Sequence, residues 1–80
     1  MEKKIIYQRW EIKEIGFYWL IAELDKERNL AFGYANLNDD VYAKWGYISM
    51  KELIDNGATK DIEWTRLPFN DALKKVKQYR

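Results

Sequence analysis

The sequence predicts an α+β domain: an antiparallel meander of four to five strands, one short helix after the fourth strand and an amphipathic C-terminal helix. Three observations predict it. Two apolar runs, residues 16–24 and 30–35, are joined by the charged turn Asp25, Lys26, Glu27, Arg28 and by Asn29, which tolerates a left-handed backbone. Ser49 stands three residues before Glu52, the spacing of a capping box. Residues 71–79 then repeat apolar side chains at helical spacing.

The elements follow in order. Residues 5–12 alternate loosely, with Ile6, Trp10 and Ile12 on one face and Tyr7, Arg9 and Glu11 on the other, which reads as a first strand. Lys13, Glu14 and Ile15 turn into the hairpin. Its outgoing strand is apolar on both faces, Phe17, Trp19 and Ile21 against Tyr18, Leu20, Ala22 and Leu24, so both sides need cover. Nine such residues also suit a buried helix, but aromatic and β-branched enrichment at strand length favours a strand. The returning strand places Leu30, Phe32 and Tyr34 on one face and Ala31, Gly33 and Ala35 on the other. A face of small residues admits close approach, most simply by a helix.

A loop over residues 36–40 leads to a fourth strand over residues 41–48. Helix follows from Ser49, with Met50, Leu53 and Ile54 on one stripe and Asn56-Gly57 as its stop. Residues 62–67 read as an edge strand ended by Pro68. Asn70 is the expected cap of a last helix over residues 71–79, which sets Ala72, Leu73, Val76 and Tyr79 on one face and Lys74, Lys75 and Lys77 on the other.

Eighty residues make one small domain over 1–80. With no cysteine to add a disulfide, the four Trp, six Tyr and three Phe supply the core. Burying one Trp is worth at most about 4–6 kcal/mol by area, so losing any one of them from the core could unfold the domain. Neither a secretory signal nor a transmembrane run is evident, and the expected location is the cytoplasm. Net charge is +1, yet residues 29–63 hold three basic and six acidic side chains while residues 64–80 hold five basic and one acidic. The tail is a basic patch.

The order of these features resembles domain-of-unknown-function family 2958, small proteins often encoded on plasmids, phages and integrated elements. The resemblance covers roughly residues 3–75. It is carried by Trp19, Asp25, Phe32 and Gly33 in the hairpin and by Gly46, Tyr47, Ser49, Glu52 and Leu53 at the step into the helix. The segment after Gly57 departs from the family, which has a longer Gly- and Pro-rich link there. The resemblance implies this fold and a mobile-element setting, and transfers no activity.

Histidine and cysteine are both absent, which removes the usual acid-base, nucleophilic and zinc chemistries, and no cofactor or metal is expected. Ser49 is the only serine, and its capping role accounts for it. Asn36, Asn38 and Asp40 copy three calcium-loop positions, but Val41 and Tyr47 stand where the loop needs Gly and Glu. Glu23 and Asp25 are expected beside Phe17, Trp19 and Ile21, the start of glycosidase-like chemistry, in a domain with little room for a substrate cleft. The expected function is therefore a non-enzymatic interaction module that binds a protein partner or a second copy of itself. Its candidate surface is Tyr7, Arg9, Tyr18, Trp45, Tyr47, Trp64, Arg66, Lys74, Lys75 and Lys77. The alternative is single-stranded nucleic-acid binding, with the basic helix tracking phosphates and the aromatics stacking bases. The plain reading of the same aromatics is that they are core.

Overall fold

The computed structural model describes residues 4–78. In it the chain runs β1 (Ile5–Ile6), β2 (Gln8–Ile12), a 3₁₀ turn (Lys13–Ile15), β3 (Phe17–Asp25), β4 (Leu30–Leu37), β5 (Lys44–Ser49), α1 (Met50–Asp55), β6 (Thr59–Lys60), β7 (Leu67–Pro68) and α2 (Phe69–Gln78). The fold is α+β. The main sheet is antiparallel in the order β5-β4-β3-β2-β6, and β1 with β7 forms a separate two-stranded sheet. Among the described residues, no helix is long and apolar enough to cross a membrane.

The predicted first strand is broken at Tyr7. Its N–H donates to the Ile21 carbonyl at 2.8 Å, beside the point where the β3–β4 register shifts between Ile21 and Glu23. The shift is a bulge at Ala22, and it inverts the side to which every later β3 residue points. Leu20 opposes Tyr34 before the bulge, and Glu23 opposes Phe32 after it. Glu23 and Asp25 therefore lie on the same side as Tyr18 and Leu20, opposite to the side expected for them. Ile6 joins one core and Trp10 and Ile12 the other, because the break at Tyr7 separates their two strands.

Each side of the sheet has its own helix. On one, Tyr18, Leu20 and Ala22 pack with Ile6 and with Phe69, Ala72 and Val76 of α2. On the other, Ile21, Ala31 and Ile48 pack with Met50 and Leu53 of α1 and with Ala58. The aromatic side of β4 thus faces the C-terminal helix, which packs on Tyr34, and the small-residue side faces the short one. Gly33 owes its identity to a nearer neighbour: a Cβ there would stand 2.2 Å from the Leu20 carbonyl oxygen. What approaches Gly33 closely is the bulged β3 backbone rather than a helix.

Local signals place the helices. Ser49 Oγ accepts from the Glu52 N–H at 3.3 Å, and Gly57 takes a left-handed φ of 88° beyond the end of α1. Ile54 is exposed, so the inner stripe of α1 is Met50 and Leu53 alone. Helix α2 starts at Phe69, whose N–H donates to the Lys4 carbonyl at 2.8 Å. Asn70 thus belongs to the first turn, and Tyr79 of the predicted inner face lies outside the described residues. The fifth strand of the main sheet is Thr59–Lys60, paired with Trp10 and Glu11, and not residues 62–67. Pro68 instead pairs with Ile5 in the small sheet. Strand β5 begins at Lys44, leaving Val41 and Tyr42 in an exposed turn.

Candidate interaction surface

Residues opposite one another in an antiparallel pair point to the same side, so the registers resolve the main sheet into rows. On the α2 side the rows are Thr59, Glu11, Tyr18, Asn36, then Arg9, Leu20, Tyr34, Trp45, then Glu23, Phe32, Tyr47. On the α1 side they are Ile12, Phe17, Leu37, then Lys60, Trp10, Trp19, Ala35, Lys44, then Gln8, Ile21, Gly33, Gly46, then Leu24, Ala31, Ile48.

The predicted surface residues separate onto several places. Tyr18 is buried, with its hydroxyl accepting from Asn36 Nδ2 at 3.1 Å. Asn36 is itself fully buried, donates to Asp40 Oδ1 at 2.7 Å and accepts from the Asp39 N–H, so it anchors the turn before β5. Trp45 is half-buried against Phe69, with ring centres 4.8 Å apart, and Tyr34 meets the same ring at 5.0 Å. Burial raises the Tyr34 pKa above its ordinary value, with further upward pushes from Tyr18 and Asp40. Trp64 is half-buried and donates from Nε1 to the Ile6 carbonyl at 3.1 Å. Lys75 lies 5.0 Å from the centre of its ring, which occupies a face that a base would need. Arg66, Lys74 and Lys77 are exposed, Tyr7 is exposed beside the bulge, and Tyr47 is exposed on β5. The cations of α2 and the open aromatic rings do not converge.

Arg9 is turned inward. It lies 3.3 Å from Glu11 and 3.7 Å from Asp61, and Lys13 approaches Glu11 at 3.7 Å. These groups line an open cleft of about 760 Å³ together with Tyr18, Thr59 and Val76. Glu11 is buried and requires such partners. The two terminal nitrogens of Arg9 face the carboxylates of Glu11 and Asp61, while its Nε is buried without a hydrogen-bond partner.

The surface that sequence reasoning missed is on the α1 side. Helix α1 has six residues, about 9 Å, and its Met50 and Leu53 pack with Ile21, Ala31 and Ile48. Trp10, Ile12 and Trp19 pack against that cluster and stay half-buried, as do Phe17 and Ala35, and Leu37 is 54% exposed. Phe17 and Trp19 meet edge to face at 6.2 Å. Gly46 continues this open area, with nothing within 4 Å of where a Cβ would stand. Exposed Lys44 and Lys60 end the tryptophan row at the two edges of the sheet. The signal in the sequence is the run of small residues Ala31, Gly33, Ala35 with Gly46, readable as an open shelf once the register is known. No family model, no curated protein and no solved structure matches the chain.

Proposed function

We propose that this chain is a small non-enzymatic interaction module that takes a protein partner on the open half of its α1 side. The observation that carries the reading is the row Lys60, Trp10, Trp19, Ala35, Lys44, an apolar centre with two aromatic anchors and a cation at each end. Buried aromatics dominate the energetics of interfaces, and rim charges select the partner. The matching partner is a segment with apolar side chains at its centre and acidic ones at its ends. Lack of histidine and cysteine favours binding over catalysis. The resemblance of residues 3–75 to family 2958 supports a cytoplasmic, mobile-element setting as part of the same proposal.

Nucleic-acid binding is the second reading, because Trp10 and Trp19 lie in a row with two lysines. It ranks lower: two lysines and a net charge of +1 supply little phosphate neutralisation. Capture from the native host, with the wild type and a Lys44→Glu, Lys60→Glu double variant side by side, tests the proposal. The expected result is a protein retained by the wild type and lost with the double variant. Retention of nucleic acid, or equal retention of a protein by both, overturns it.

A further inference from the structure

Strand β5 is an edge of the main sheet, and its outer side pairs with no other strand among the described residues. Natural edges are blunted by lysine, proline, bulges or brevity. The opposite edge, β6, is two residues long, whereas β5 has six residues and a single charge, Lys44, at its start. The Met50 N–H donates inward to the Asn29 carbonyl at 3.0 Å. By the alternation of an antiparallel ladder, Lys44, Gly46 and Ile48 then bond to β4, and Trp45 and Tyr47 turn their N–H and C=O groups outward.

We infer that a second copy of this chain pairs with that edge, β5 against β5, about a two-fold axis at Gly46. A two-fold seam requires that if one residue meets another, the reverse contact is equally good. The strand reads aromatic, glycine, aromatic about Gly46, so Trp45 of each copy opposes Tyr47 of the other. Each of these pairs exchanges two backbone hydrogen bonds. Gly46 meets its own copy in the closely spaced, non-bonded pair, where the absence of a side chain lets the strands approach. Lys44 comes opposite Ile48, so no like charges meet across the seam. The register continues the ladder in which Phe32 contacts Trp45 at 5.8 Å and Tyr47 at 5.5 Å, and it covers a Tyr47 that is 78% exposed. A net charge of +1 sets no long-range repulsion against self-association. The seam is short, so the dimer is a weak one. The seam shares Lys44 with the row proposed for the partner, but its backbone pairing at Trp45 and Tyr47 is read separately by hydrogen exchange on the purified chain, so either proposal can fail alone.

The test is sedimentation equilibrium over a wide concentration range on the wild type, Gly46→Lys, Gly46→Glu and an equal mixture of the two variants. The open space at Gly46 lets either side chain fold in place, and like charges at the axis then oppose pairing. The expected result is a concentration-dependent dimer for the wild type, monomers for each variant alone, and a dimer restored in the mixture. A wild type that stays monomeric, a Gly46→Lys chain that dimerises as well as the wild type, or a mixture that stays monomeric overturns the inference. Hydrogen exchange on the wild type needs no variant. The Trp45 and Tyr47 amides gain protection at high concentration, and equal exchange at low and high concentration overturns the seam.

Discussion

The two sides of the main sheet are built from the same strands and end differently. The α2 side receives a ten-residue helix with Phe69, Ala72 and Val76 buried along it. The α1 side receives a six-residue helix that buries Met50 and Leu53 and leaves the rows of Trp10 and Phe17 short of cover. Helix length, at about 1.5 Å per residue, decides how much of a sheet one helix shields. The shorter helix makes one side of this protein a core and a surface at once.

That contrast is open to direct attack. The largest effect is expected at Phe69, where an Ala substitution removes ring contacts to both Tyr34 and Trp45 and costs about 3–5 kcal/mol in urea unfolding. Met50→Ala, its counterpart on the thinner side, is expected to cost less. A larger loss at Met50 would mean that the α1 side carries more of the stability than its cover suggests. The glycines sharpen the comparison further. Gly33→Ala forces a methyl against the Leu20 carbonyl and is expected to cost roughly 1–3 kcal/mol or more. Gly46→Ala, in the same row, meets open space and is expected to shift stability by less than about 1 kcal/mol, in the stabilising direction. Equal costs at the two positions would show that Gly46 is covered.

The smallest effect is a pH dependence confined to the α2 side. The folded Tyr34 pKa is raised, so the neutral phenol is the form that the fold favours. Its contribution is fully present below the ordinary tyrosine pKa of about 10 and is lost as pH rises from there through the folded value. Thermal unfolding between neutral and strongly alkaline pH checks this, and Tyr34→Phe is expected to flatten the alkaline fall. An unchanged slope would assign that fall to other groups.

Much of the α+β architecture was legible in the chain. The hairpin over β3 and β4, its left-handed Asn29 with φ of 56°, the serine-capped α1 and the lysine-bearing α2 all follow from signals a few residues apart. The candidate surface was less legible. Strand alternation identifies two sides without saying which helix lies on which, so Tyr18 and Trp45 read as members of a binding face although the fold packs them inward. Trp10 and Trp19 carry no such signal in the sequence, because only the register aligns them with Ala35, Lys44 and Lys60.

By itself the sequence determined the turns, the caps and the alternation within each strand, since these depend on neighbours in the chain. Only the tertiary structure decided the bulge at Ala22, the break at Tyr7, the pairing of β6 in place of residues 62–67, and the side that each helix covers. Each of these depends on partners distant in sequence, and the energies that select them arise when surfaces meet. The open row of tryptophans is a product of that second kind of decision.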